Sequence, residues 1–468
     1  MLKPNIKMWK HQDASLDFLR SHDQAILNSG MGTGKTLTML AFLSEKRFNR
    51  TLIVTTGKGV DVWKEEIEDR LQRHPKVVDD NSMTILKQSR AIPDGAMIYL
   101  TTYARLWREP LLAKLIKANF DIIVLDESHY IAAPNSKVSK AAHKLSKVIH
   151  YRYAMTGTLL SNNPLSIFGQ ARFIDDKMFN GPETPNLLNS FKRFREYFCW
   201  LKGIPGIPGA YIVTGYKNMD FYNTVLNRYV YRVESDEVLD LPEAIHKAVM
   251  ISLPSEARKA YYDVLENGFH KHKDRVVTAD NALVAATRLH QIAGGFITTS
   301  DPQGNPKDTE TELLHTAKLD TLVELIEGLN ETERFVVFAK YTEEVFNIAA
   351  RLTKFGGVSI LSGQRDELKD WQTGKNRIIV VQVDTGSEAI DLSLARYTFV
   401  YSTGWSLGDY EQMLRRMRRP RKGGTREETV FFYHLLMRGT IDVDIANALK
   451  DKKEITSATL KRITGYTK

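Results

Sequence analysis

A chain of 468 residues is too long for one hydrophobic core and suits two domains of about 200 residues each. With 43% hydrophobic and 26% charged residues it reads as a soluble globular protein, and no run reaches the roughly 18 apolar residues of a membrane span. Cys199 is the only cysteine, which excludes an internal disulfide and a thiolate cluster, while a net charge of +9 permits a polyanionic partner. The N-terminal stretch lacks the apolar segment of a signal peptide, so the expected location is a reducing cytoplasmic or nucleoid interior.

Along the chain, the first apolar run is Ala25–Leu27. It leads into Ser29-Gly30-Met31-Gly32-Thr33-Gly34-Lys35-Thr36, and then into a helix-like stretch, Leu37–Glu45. Glycines such as Gly30, Gly32 and Gly34 let a backbone curl until its N–H groups point at phosphate oxygens, and the helix terminus adds a favourable dipole. Lys35 can reach the β and γ phosphates, and the Thr36 hydroxyl can ligate Mg²⁺. The strict pattern has glycine where this chain has Ser29, a position that only opens the turn.

Leu52–Thr55, Ile98–Leu100 and Ile122–Leu125 have the length and β-branched content of buried strands, and Tyr153–Met155 is a weaker candidate. Amphipathic stretches between them predict a parallel sheet covered on both faces. Asp126-Glu127-Ser128-His129 closes one of these runs. An acidic pair at a strand's C-terminal edge sits beside the phosphate loop. Asp126 would hold Mg²⁺ through water, and Glu127 would orient the attacking water. The other histidines show no ligand spacing, and no structural metal site is expected.

Residues 165–320 have few strand-like runs and read as mostly helical, with a surface loop at Ser300–Asp308. Phe191, Phe194, Tyr197, Phe198 and Trp200 form an aromatic group there, either the core of a subdomain or a wedge between nucleic-acid strands. The α/β pattern returns with Phe335–Phe338, Val358–Leu361, Ile378–Val381, Thr398–Tyr401 and Val430–Phe432. Arg415–Lys422 holds six basic residues in eight. Gln412, Arg416 and Arg419 share one helical face, which could present a guanidinium to a nucleotide. Arg415, Arg418, Arg421 and Lys422 could meet a nucleic-acid backbone.

Together these motifs resemble superfamily 2 helicases and translocases, and within them the Swi2/Snf2-like branch. Trp9-Lys10-His11-Gln12 looks like the adenine-reading glutamine motif, with Gln12 as reader. Ser29–Thr36 and Asp126–His129 match the nucleotide-binding and DEAH-type motifs. Leu52–Thr56, with Trp63–Ile67, and Thr101-Thr102-Tyr103 resemble the motifs around the first nucleic-acid contacts. The branch is suggested by Asn135–Ala141 and by Met155–Asn163, which is close to LTGTPLQNN. Arg288–Ala293, Lys318-Leu319, Val337–Ala339, Gly386–Leu392 and Gln412–Arg419 are similar to the interlobe and second-lobe motifs. Departures include Ser128 for alanine, Leu159 and Ser161 for proline and glutamine, and Ala389 and Asp391 for Gly and Asn.

The resemblance implies an α/β protein of two tandem RecA-like lobes with helical insertions between them. The lobes would span 1–233, with an insert at about 165–232, and 234–468, preceded by a helical region at about 236–320. ATP and Mg²⁺ would be the cofactors and duplex, forked or branched DNA the partner of a compact monomer, viral in origin. The implied nucleotide ligands are Gln12, Gly30, Gly32, Gly34, Lys35, Thr36 and Gln412, with Arg416 and Arg419 as fingers. His129, Thr156 and Thr158 would couple nucleotide to DNA. Thr55, Thr56, Thr101, Thr102, Arg421 and Lys422 would contact DNA. The alternative is an RNA-directed or non-translocating ATPase clamp.

Overall fold

A computed structural model describes residues 2–450 except 4–5, 31, 47, 72–82, 86–96, 158, 160–163, 204–210, 234–237, 239–243, 280–281, 301–308, 387–389, 405 and 418–428; at 83–85, 282 and 386 the description is of backbone alone. Backbone contacts divide the chain into two units, Met1–Leu239 and Asp240–Lys468.

A parallel sheet is buried on both faces, so its strands must be apolar at consecutive positions rather than at alternate ones. The first unit meets this demand with β1 (Gln24–Ser29), β2 (Thr51–Thr55), β3 (Met83–Ile85), β4 (Ile98–Thr102), β5 (Ile122–Asp126) and β6 (Tyr151–Thr156). The sheet has the order β3-β4-β2-β5-β6-β1, and a further strand described below adds to β1; every pairing is parallel. Alternate residues feed two cores. Leu52, Val54, Ile123 and Leu125 face one layer, with helices Leu111–Lys117, Lys137–Ser146 and Ile167–Ile174. Ile53, Ile122 and Val124 face the other, with helices Lys10–Arg20, Lys35–Lys46 and Gly57–Arg70.

The region 165–320 is not the mostly helical insert expected from sequence. Helices Phe191–Phe198, Met219–Tyr229, Ser255–Asn267 and Ala282–Gly294 are present, but strands interleave with them. β7 (Cys199–Gly203) and β8 (Tyr211–Tyr216) form a separate antiparallel hairpin, and β9 (Val230–Val233) adds to β1. β10 (Ala244–Ile251) enters the second unit's large sheet at its edge. β11 (Phe269–His272), β12 (Arg275–Thr278), β13 (Phe296–Ser300) and β14 (Thr309–Leu313) make a small antiparallel sheet. These strands escaped notice because segments such as Phe269-His270-Lys271-His272 and Thr309-Glu310-Thr311-Glu312-Leu313 are largely exposed and carry no apolar run. Pairing with a neighbour, not burial, makes them strands. Of the loop Ser300–Asp308, only Ser300 is among the described residues, and it ends β13.

The second unit is completed by β15 (Phe335–Ala339), β16 (Val358–Leu361), β17 (Ile378–Gln382), β18 (Tyr397–Val400) and β19 (Val430–Met437). Its order is β10-β19-β18-β15-β17-β16, parallel throughout. No helix among the described residues is long and apolar enough to cross a membrane.

Candidate active site

Parallel strands all end on one edge, and in the first unit that edge gathers Ser29, Thr55, Asp126 and Thr156. The phosphate loop leaves β1 and is tied to the edge strand by the Gly30 N–H, which donates to the Val233 carbonyl at 2.8 Å. Gly32 and Gly34 both take φ +79°, a left-handed conformation that a side chain would strain. Gly34 also has no room for one, because a Cβ there would lie 2.1 Å from Gln12 Nε2. Gln12 is buried and braces the loop, its Nε2 donating to the Thr33 carbonyl at 2.9 Å while its Oε1 accepts from the Trp9 N–H at 2.9 Å. Thr33 in turn donates its hydroxyl to the Gly30 carbonyl at 2.7 Å. The Lys35 ammonium folds over the loop and donates to the Ser29 and Gly30 carbonyls at 2.7 and 3.3 Å. Thr36 is half-buried in the first turn of the helix that follows.

Asp126 is the last residue of β5, and Glu127 follows in a left-handed conformation, φ +55°. One oxygen of Asp126, Oδ2, accepts from Thr55 Oγ1 at 3.0 Å and from Trp63 Nε1 at 2.9 Å. Burial raises the pKa of this carboxyl and the neighbouring Glu127 charge adds to the rise, against the opposing pull of Trp63, Lys35 and Thr55. The left-handed turn sends Glu127 toward His129, whose Nδ1 lies 3.4 Å from Glu127 Oε2 and 3.4 Å from Thr156 Oγ1. Thr158 lies outside the described residues.

The threonines expected at DNA, Thr55, Thr56, Thr101 and Thr102, are all buried. Thr55 and Thr101 are fully buried, and the Thr55 hydroxyl is committed to Asp126. Thr56 accepts the Gly59 N–H with its hydroxyl and so caps helix Gly57–Arg70, while Thr102 is 8% exposed.

Sequence reading also missed three residues that build the site. Trp63 was noted only within a motif, yet its indole N–H holds Asp126. Tyr103 donates to the Asp126 carbonyl at 2.7 Å. Gln170 accepts from Ser128 Oγ at 2.6 Å and donates to the Leu159 carbonyl at 3.1 Å, joining the acidic turn to the loop after β6. No local pattern marks Gln170. Only a buried amide 42 residues from its partner reveals the link.

In the second unit, helix Leu407–Met417 turns Gln412, Met413, Arg416 and Met417 inward. Arg416, expected at the phosphates, is instead fully buried and donates to the Ile390 carbonyl at 3.1 Å. The apolar members of its face carried it inside. Gln412 is 8% exposed on the same face. Arg419, Arg421 and Lys422 lie outside the described residues.

The SNF2-related domain family matches residues 11–295, more than half of the chain. The chain belongs to this family. Residues 317–421 of this SNF2-related chain also match the helicase conserved C-terminal domain. Membership implies an ATP-hydrolysing helicase or translocase activity with ATP and Mg²⁺, on RecA-like parallel-sheet lobes of the kind observed here. Protein p41 of Acyrthosiphon pisum secondary endosymbiont phage 1 is 24% identical over 467 residues, with 95% of each chain covered. The DNA excision repair protein ERCC-6 of Mus musculus is 22% identical, covering 97% of this chain and 33% of that protein. The DNA annealing helicase and endonuclease ZRANB3 of Mus musculus is 22% identical, covering 96% and 40%. The SNF2-related chain therefore spans less than half the length of those two relatives. A solved Sulfolobus solfataricus SWI2/SNF2 ATPase core in complex with dsDNA is 21% identical, with 99% and 95% of the two chains covered and a TM-score of 0.43.

Proposed function

We propose that this protein hydrolyses ATP to drive translocation on, and remodelling or unwinding of, duplex or branched DNA. The observation that carries the reading is the placement of the phosphate loop after β1 and of the acidic pair at the end of β5, on one edge of one parallel sheet. The family and the DNA-acting names of its relatives support DNA as the track. A near-full-length likeness to a phage protein supports a viral origin.

The residues present suit a magnesium nucleotide. Gly32 and Gly34 shape a loop of backbone amides, and Asp126 with the Thr36 hydroxyl offers oxygen donors of the hard kind that Mg²⁺ prefers. Bound there, Mg²⁺ would neutralise charge on the phosphate oxygens. Trp63 and Thr55 occupy one Asp126 oxygen and so fix the orientation of the other. Glu127 orients the attacking water and accepts its proton. His129, between Glu127 and Thr156, links that carboxylate to the loop after β6, where a response to DNA would enter. By its motif, Arg419 would supply the finger that stabilises charge on the transferring phosphoryl group.

Steady-state hydrolysis by wild type and K35A, titrated with duplex DNA, single-stranded DNA and RNA, tests the reading. Wild type should be stimulated by DNA, and K35A should lose detectable turnover. Wild-type turnover in K35A overturns the site. Strong stimulation by RNA with none by DNA of several shapes establishes the RNA-directed alternative, and stimulation without triplex displacement establishes the clamp.

A further inference from the structure

Glu127 stands in a left-handed conformation, φ +55°, which a glutamate keeps only where its surroundings hold it there. The holders can be read from the two peptide groups that flank the residue. In the peptide before Glu127, the Asp126 carbonyl accepts from the Tyr103 hydroxyl at 2.7 Å. In the peptide after it, the Glu127 carbonyl accepts from the Tyr130 N–H at 3.1 Å. Each peptide is a rigid plane, so fixing both planes fixes the φ and ψ of the residue between them.

The two tyrosines are also joined to each other. Their rings lie 7° from parallel, with centres 5.0 Å apart. Tyr130 is 41% exposed and Tyr103 only 3%, so the outer ring meets water and the inner hydroxyl bonds away from it, where a hydrogen bond is stronger. Tyr103 follows β4, and β2 separates that strand from β5 in the sheet. Only a long side chain with a donor at its tip bonds across that distance. At the carboxylate end of Glu127, His129 Nδ1 stands 3.4 Å from Oε2, and the His129 ring centre lies 4.9 Å from that of Tyr130. The pair therefore touches the backbone of Glu127 directly and its carboxylate through His129.

The Asp126 side chain has other supports, since its Oδ2 accepts from Thr55 and Trp63. Orientation of the two carboxylates is thus divided between two sets of neighbours. We propose that Tyr103 and Tyr130 are positioning residues that hold Glu127 in the orientation hydrolysis requires, while the Asp126 carboxylate is oriented independently of them. The inference rests on Glu127 as the residue that orients the attacking water.

The test measures ATP hydrolysis against ATP concentration for wild type, Y103F, Y130A and Y130F, with thermal melting as the check on folding. Y103F keeps the ring and loses the hydroxyl. It should lower saturated turnover about tenfold or more and leave the ATP concentration for half-maximal rate within about twofold. Y130A should show the same split at about threefold, and Y130F should restore most of that loss by returning the stacked ring. Single-turnover hydrolysis then compares E127Q with Y103F/E127Q. If Tyr103 acts through the Glu127 carboxylate, the double variant stays within about twofold of E127Q. A further loss of about tenfold in the double variant overturns the inference, as does a folded Y103F with wild-type turnover. A raised ATP requirement with unchanged saturated turnover also overturns it, because that marks a defect in binding. Should Y103F melt below the assay temperature, Y130A against Y130F decides by the same split. Wild-type turnover in E127Q defeats the assignment of Glu127 and the positioning role with it, whereas an impaired E127Q beside an intact Y103F defeats the positioning role alone.

Discussion

β1 and β15 each run into a helix, and the two turns treat the helix N-terminus in opposite ways. Backbone N–H groups there attract an anion in any helix. After β1 the chain inserts a glycine loop, with Gly32 and Gly34 at φ +79°, before helix Lys35–Lys46. After β15 it makes a tight turn at Lys340-Tyr341 and supplies the acceptor from its own side chain. The Glu344 carboxyl accepts from the Lys340 and Tyr341 N–H groups at 3.2 and 3.1 Å and from the Ser402 hydroxyl. Gly294 makes the space, because a Cβ there would lie 2.2 Å from Glu344 Oε1. Around it, Lys318 pairs with Asp442, and His290 stands 3.5 Å from the same aspartate. One architecture thus sets a glycine loop before the helix in the first unit and closes the helix terminus with a side chain in the second.

The largest effects should separate the two turns by chemistry. Glu127→Gln should lower saturated turnover about 10³-fold while Mg²⁺-ATP still binds, since Asp126 and Thr36 remain. Loss of nucleotide binding by a folded E127Q means that the role is misassigned. Arg419→Ala should lower turnover at saturating DNA by a similar factor of about 10³, with R421A as a control that mainly raises the DNA concentration required. Recovery of R419A at high DNA makes Arg419 a backbone contact instead of a finger.

The closed terminus has its own signature. Burial pushes the Glu344 carboxyl up to about 7 from an ordinary 4.5. The folded protein therefore keeps a proton that the unfolded chain gives up, and the wild type loses stability as pH rises from 4.5 to 7. Glu344→Gln lacks this loss. Its stability relative to wild type should grow by about 3 kcal/mol across that window, read by urea unfolding. His290, pushed down to about 4 by burial, has the opposite sign, so H290Q should lose stability relative to wild type as pH rises from 4 to 6.5. A flat difference for E344Q means that the terminus is not closed by a neutral carboxyl.

Smaller effects test the scaffold around the open terminus. Ser128→Ala leaves the buried Gln170 carbonyl oxygen without its donor and should cost about 1–3 kcal/mol. Thr56→Ala removes a helix cap and should cost about 1 kcal/mol. Unfolding curves with unchanged midpoints remove those side chains from the account.

Most of the two large sheets could be read in the sequence because a parallel strand buried on both faces must be apolar at every position. Ile122–Leu125 and Ile378–Val381 leave little else to be. That the glycine loop follows β1 and that Asp126 ends β5 were equally readable, since each motif is compressed into a few consecutive residues beside an apolar run. Hairpin β7–β8 and the sheet β11–β14 were not, because their strands keep exposed, mixed residues. Only the tertiary structure decided that Thr55 and Trp63 hold Asp126, that Gln170 ties Ser128 to Leu159, and that Arg416 turns inward. A residue's type records what it can bond to; which bond it makes depends on the neighbours that folding brings to it.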